Sequence, residues 1–191
     1  VKIIVDALHF RAIIGAYRQG ADAMNKVIFW DVDGTLIDSD ARFHAAVKAG
    51  NGVFNVAYYR ERQTDADLAA DTALPLLSVA LGNMSNEYVL TAREMLPADF
   101  RQLEAFGIKP IHIFHRGNAP AFIAAIQHNG DYKRAYINFL RMSRFYHIKE
   151  DSNGNWARIY DDDIGVLKMA RKIGVIPHNA IMINELLREV A

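Results

Sequence analysis

Along the chain, short uninterrupted apolar runs alternate with longer stretches whose apolar positions recur at helical spacing, and most runs end in polar or acidic residues. The run Val27-Ile28-Phe29-Trp30 is β-branched and aromatic, which suits a strand covered on both faces. Comparable runs at 87–93, 111–115, 156–160 and 180–183 predict four more strands. Between them, helix-forming composition predicts helices over 41–49, 65–81 with a bend near Pro75, 97–106, 120–128, 131–140, 164–173 and 185–190. Gly50, Gly107, Asn129-Gly130 and Gly174 supply stop signals. Residues 53–62 read as a polar-aromatic connector and 151–155 as a turn. This alternation predicts an α/β fold, a doubly wound, mostly parallel sheet with its functional edge at the carboxyl ends of the strands.

Length and composition narrow the picture. The chain has 191 residues, 51% of them hydrophobic, enough for one domain with a substantial core and a small insertion. Lys plus Arg and Asp plus Glu each total 22, so no global basic field attracts nucleic acid, and a polyanion would need a local patch. The absence of cysteine excludes disulfides, thiolate zinc sites and cysteine nucleophiles, and is compatible with the cytoplasmic location expected for the protein. No apolar run approaches the roughly 20 residues of a spanning helix, so no membrane partner is expected. Residues 1–23 lack the pattern of a secretory signal. Met24-Asn25-Lys26 resembles a natural start, which makes 24–191 the expected single domain and 1–23 an extension that is not native. The competing reading of 1–23 is an amphipathic helix with Ile4, Leu8, Phe10, Ile14 and Tyr17 on a partial stripe. Both readings stand.

The candidate chemistry lies at the strand ends. Asp31 and Asp33 follow the first strand two residues apart, where Gly34 lets the backbone turn. Around one small volume, neither would ionise comfortably without a cation or a proton between them. Asp161, Asp162 and Asp163 end another strand and would repel one another in a dry site unless a divalent cation compensated them. Asp163 is also placed to cap the helix that follows. Thr91 and Arg93 end the strand between, and Lys133 and Arg134 begin the amphipathic helix over 131–140.

The hexapeptide Asp31-Val32-Asp33-Gly34-Thr35-Leu36 resembles the first motif of the haloacid dehalogenase-like hydrolases. Thr91 resembles the phosphoryl-binding hydroxyl of the second motif, with Arg93 as a further anion ligand; Lys133, rather than Arg134, resembles the third-motif cation. The Asp161-Asp162-Asp163 run falls where the fourth motif should. This resemblance covers roughly residues 26–183 and implies a Rossmann-like core. It implies Mg²⁺ held by Asp31, the backbone carbonyl of Asp33 and Asp162, with Asp161 in support. Asp31 would attack phosphorus, Asp33 would serve as acid and then base, and the Gly34 turn, Thr91 and Lys133 would stabilise the phosphoryl oxygens. An acid at position 33 favours phosphoester over carbon–halogen hydrolysis. The interval of about 39–86 then reads as a minimal helical cap insertion over an open site.

The order of these motifs also resembles the phosphatase domain of polynucleotide kinase-phosphatases, implying a small phosphorylated substrate, either a nucleotide or a nucleic-acid end. Arg60, Arg62, Arg93, Arg116 and Arg134 could form a phosphate-binding rim, with Tyr58 and Tyr59 as stacking surfaces. His112 and His115 read as structural. Two other classes stay open: a catalytically weak Mg²⁺-binding scaffold acting through a protein partner, and a phosphotransferase. The sequence assigns no oligomeric state.

Overall fold

The computed structural model describes residues 26–80, 86–109, 113–145 and 147–189. The expectations for residues 1–23, His112 and the first half of the 111–115 run lie outside them. In chain order the elements are β1 (Val27–Trp30), β2 (Ile37–Asp38), α1 (Asp40–Ala49), α2 (Val56–Glu61), α3 (Asp65–Leu68), β3 (Thr72–Ala73) and α4 (Pro75–Ala80). They continue as β4 (Glu87–Leu90), α5 (Pro97–Ala105), β5 (Ile113–Phe114), α6 (Ala121–Ala124), α7 (Asn129–Ser143), β6 (Ala157–Asp161), α8 (Ile164–Lys172), β7 (Val175–Asn179) and α9 (Ala180–Glu189). Among the described residues, no helix is long and apolar enough to cross a membrane.

Five strands form one parallel sheet in the order β5-β4-β1-β6-β7. The chain winds outward from β1 to β5, returns, and winds outward to β7 on the other side. β1 therefore sits at the switch point, where the strand ends open a crevice. Successive strand residues face opposite sides. Phe29 and Leu90 join a core under α7 and α8 with Tyr132, Tyr136, Ile137, Trp156, Val166 and Met169. Trp30 and Val89 join a second core with Leu36, Ile37, Leu76, Leu103, Ile113 and Ala180. Burial on both faces explains why β1 reads as continuously apolar.

Register then aligns the chemistry. Trp30 pairs with Val89 on one side and Tyr160 on the other. The Asp31 N–H donates to the Tyr160 carbonyl at 3.0 Å, and the Thr91 N–H to the Phe114 carbonyl at 3.0 Å. Asp31, Thr91 and Asp161 thus leave three adjacent strands at one level.

Three local expectations are corrected. The helix expected over 65–81 is two short helices separated by β3. Asp71 leaves the helix to receive Arg42 through three side-chain contacts, Nε to Oδ1 at 2.9 Å and to Oδ2 at 3.1 Å, and Nη2 to Oδ2 at 2.5 Å. β3 pairs antiparallel with β2, and Pro75, which cannot accept a continuing helix, opens α4 instead. The strand expected at 180–183 lies at β7, and Ala180–Glu189 is one helix. Its inner face carries Ala180, Ile183, Asn184 and Leu187, a helical stripe, while Ile181, Met182 and Leu186 are exposed. Pro177 disguised β7, yet β7 is an edge strand, where a missing N–H is tolerated. Lastly, Asn129 and Gly130 do not stop a helix; they begin α7 behind the His128 cap, and the preceding helix covers only Ala121–Ala124. The 53–62 connector contains α2, capped by the Asn55 side chain.

Candidate active site

Asp31 ends β1 nearly buried, at 7% exposure, and its Oδ1 lies 2.8 Å from Lys133 Nζ. Lys133 comes from the second turn of α7, and its ammonium bridges to Asp161 Oδ2 at 2.7 Å. Arg134, one residue on, points outward and pairs with Asp131 at 2.9 Å. The helical stripe that buries Tyr132, Tyr136, Ile137 and Leu140 is what turns Lys133 inward.

Asp31, Asp161 and Asp162 each place a carboxylate oxygen within 4.8 Å of the others. Asp161 is fully buried, and its Oδ1 accepts the Asp163 N–H at 3.0 Å. Asp163 caps α8, its Oδ1 accepting from Gly165 N at 2.6 Å and Val166 N at 3.3 Å. Gly34 adopts φ +69°, and a Cβ built there would overlap the Asp162 carboxylate, so the turn after β1 and the end of β6 approach as only glycine permits.

Three carboxylates against one ammonium leave the cluster over-negative. Burial pushes Asp31 up to about 7, with Asp161 adding to the push and Lys133 opposing it. Asp162 is pushed up to about 7 by burial and by the charge of Asp31. Asp161 is raised by burial against the pull of Lys133. Burial alone would lower Lys133, but Asp161 and Asp31 outweigh it and hold the ammonium above the usual lysine range. A hard divalent cation fits this all-oxygen donor set, which two further positive charges would neutralise.

Asp33 belongs to a second, distinct network. Arg93 donates from Nε to Asp33 Oδ2 at 3.1 Å and from Nη2 to Oδ1. Ser39 Oγ donates to Oδ1 at 2.5 Å and Tyr59 Oη at 3.2 Å. Burial would raise Asp33, but the Arg93 charge and these hydrogen bonds bring it below the usual carboxylate range. Arg93 Nη1 reaches Asp99 Oδ1 at 2.6 Å. Asp99 is itself fully buried and accepts from Gln63 at 2.6 Å and from the Leu96 N–H at 2.8 Å.

Of the eight residues singled out from sequence, Asp31, Lys133, Asp161 and Asp162 cluster with Gly34 against Asp162, Asp33 pairs with Arg93, which also reaches Asp99, and Thr91 leaves the neighbouring strand at the level of Asp31. Thr91 is buried, and its Oγ1 accepts the Arg93 N–H at 3.1 Å, which leaves the hydroxyl proton to donate. Each arginine of the expected rim has a partner within the fold, Arg93 in Asp33 and Asp99. Arg60 pairs with Glu94, Arg62 with Asp67, Arg134 with Asp131, and Arg116 with the carbonyls of Ala92, Ala124 and Ile126. His115 is structural as expected, its Nδ1 accepting the Met95 and Gly117 N–H groups. Sequence reasoning missed Ser39 and Asp99. Each stands at a helix start, Ser39 before α1 and Asp99 in the first turn of α5, a signal for capping rather than for a site.

The sequence model of the bacteriophage T5 5′-deoxynucleotidase family matches residues 17–190. The 5′-deoxynucleotidase of Escherichia phage T5 is 28% identical over 183 residues, covering 86% of this chain and 70% of that protein. In three dimensions, a haloacid dehalogenase-like family hydrolase from Streptococcus pneumoniae superposes with a TM-score of 0.53 at 15% identity, covering 84% of this chain and 90% of its own. That last likeness concerns the fold.

Proposed function

The chain belongs to the bacteriophage T5 5′-deoxynucleotidase family and is a phosphatase with the haloacid dehalogenase-like fold, and on that premise we propose that it is a Mg²⁺-dependent nucleoside 5′-monophosphate phosphohydrolase acting through an aspartyl-phosphate on Asp31. The observation that carries this reading is the Asp31–Lys133–Asp161 chain of charges beside Asp162, at 2.8 and 2.7 Å.

Asp31 and Asp162, with the Asp33 backbone carbonyl, would hold the ion, since Lys133 and the Asp163 N–H already engage Asp161. When bound, Mg²⁺ neutralises carboxylate and phosphoryl charge. Asp31 attacks the phosphorus in line, forming an Oδ–P bond as the bond to the nucleoside 5′-oxygen breaks. Lys133 keeps its charge throughout and, with the Thr91 hydroxyl and the amides of the Gly34 turn, offsets negative charge on the equatorial oxygens. Because the resting Asp33 carboxylate is ionised, it first takes up a proton from the bound monoester or solvent, delivers that proton to the departing oxygen, and then takes one from the water that cleaves the acyl-phosphate. Arg93, Ser39 and Tyr59 hold its carboxylate over the reaction side of the turn. Because the surface arginines are already paired with acids or carbonyls, a free mononucleotide is favoured over a nucleic-acid end.

The test is phosphate release from p-nitrophenyl phosphate and a panel of deoxy- and ribonucleoside 5′-monophosphates, with Mg²⁺ or EDTA. Turnover that requires Mg²⁺ and disappears in Asp31→Asn is expected. Absence of turnover on every monoester would refute it.

A further inference from the structure

The site described so far accounts for the phosphoryl group but not for the rest of the substrate. A row of aromatic rings runs outward from Asp33. Tyr59 touches Asp33 through its hydroxyl at 3.2 Å, and its ring lies 4.9 Å from the Arg42 guanidinium and 5.7 Å from that of Arg93. Phe54 lies against Tyr59 with centroids 5.2 Å apart, and Phe43 stacks on Phe54 at 5.1 Å and 20°. A second path reaches the same place. Ser39, which donates to Asp33, precedes α1, and Phe43 lies one helical turn further along the same face. Both paths put the rings on the side of Asp33, where the leaving group departs.

Phe43 is 46% and Phe54 37% exposed, and neighbouring Val53 and Val56 are more exposed still. The turn between α1 and Phe54 takes two consecutive residues, Asn51 at φ 54° and Gly52 at φ 93°, through left-handed backbone, folding Phe54 back onto Phe43. Asn and Gly are the residue types that enter this backbone region readily, and the turn they make leaves more than a third of each ring exposed, where a core position would cover it. Tyr59, by contrast, is locked between two arginines and supplies a fixed inner end.

We infer that Phe54 and Phe43, seated on Tyr59, form the subsite for the base of a free nucleoside 5′-monophosphate, so that stacking on this wall is the main source of selectivity for nucleotides over other phosphomonoesters. The inference rests on the phosphohydrolase reading above. Aromatic faces accept any base, so the wall selects for a base without selecting which one. The rings lie beside a site whose nearby arginines are paired to Glu94, Asp67, Asp33 and Asp99, leaving little for a nucleic-acid backbone to bind.

The experiment compares kcat/KM for thymidine 5′-monophosphate, 2-deoxyribose 5-phosphate and a 5′-phosphorylated oligonucleotide. The enzymes are the wild type, Phe54→Ala, Phe43→Ala and Phe54→Tyr. In the wild type the mononucleotide should exceed both the sugar phosphate and the oligonucleotide. Phe54→Ala should shrink the mononucleotide-to-sugar-phosphate ratio by roughly tenfold or more, Phe43→Ala should shrink it less, and Phe54→Tyr should restore it. Equal losses on both small substrates, or a wild type indifferent to the base, would overturn the inference. A preferred oligonucleotide would overturn the assignment to a free nucleotide. Failure of the wild type on all three would instead overturn the phosphohydrolase reading.

Discussion

Replacing Lys133 by Met would test the charge balance of the site more directly than any change at the nucleophile. Lys133 is 2% exposed and contacts Asp31 at 2.8 Å and Asp161 at 2.7 Å, each attraction amounting to about 6 kcal/mol at an effective dielectric constant of about 20. Desolvation of the three groups offsets most of that, and removing one partner of a buried ion cluster costs about 3–5 kcal/mol net. Methionine fills the same volume, so the loss is electrostatic.

The cost must depend on pH. Asp31, at about 7 in the folded protein against 3.8 for the free side chain, favours folding at low pH. That contribution is lost as pH rises through the folded value. Lys133 lowers both Asp31 and Asp161, so its removal moves both further up and extends the loss to higher pH. Each carboxylate forced to keep its proton then costs about 1.4 kcal/mol per pH unit above its unfolded value. The expected deficit in EDTA is about 1–2 kcal/mol at pH 5 and about 3–5 kcal/mol at pH 8. Saturating Mg²⁺ should recover part of it at pH 8, because the ion replaces the missing charge. Urea unfolding followed by tryptophan fluorescence reads this well, since Trp30 and Trp156 are both buried. A deficit below about 1 kcal/mol at pH 8, or one identical at both pH values, would refute the reasoning. In the same preparation, phosphate release should fall by about 10²–10³-fold.

Two further outcomes follow from the geometry. Gly34→Ala forces a left-handed alanine against the Asp162 carboxylate, so titration calorimetry should show Mg²⁺ affinity falling at least about tenfold; wild-type affinity would contradict the close approach. In Asp33→Asn, Mg²⁺ affinity should stay within about threefold of wild type, because the proposed metal contact at this position is through the backbone. Single-turnover kinetics should then show dephosphorylation slowed by about 10²-fold or more, and loss of metal affinity in that variant would contradict the assignment.

The hydrophobic and acidic patterning of this sequence determines the parallel α/β core and the strand ends that carry Asp31, Thr91 and Asp161. Strands buried on both faces announce themselves, and a carboxylate directly after such a strand has few reasons to be there other than chemistry. Lys133 was singled out only by its resemblance to the third motif; its burial beside Tyr132, Tyr136 and Leu140 on α7 belongs to the folded structure. Local pattern failed where tertiary contacts outweighed it. Asp71 breaks a good helix to hold Arg42, β7 survives a proline because it is an edge, and 180–183 is a helix because its apolar stripe meets the core at a period of 3.6. Only the folded structure decided which cation meets which carboxylate. Arg93 lies 60 positions from Asp33 and Lys133 28 from Asp161, and no local rule records such a pairing. The same holds for the aromatic wall: Phe43 and Phe54 carry no signal along the chain, and the turn after α1 brings them onto Tyr59, whose hydroxyl meets Asp33.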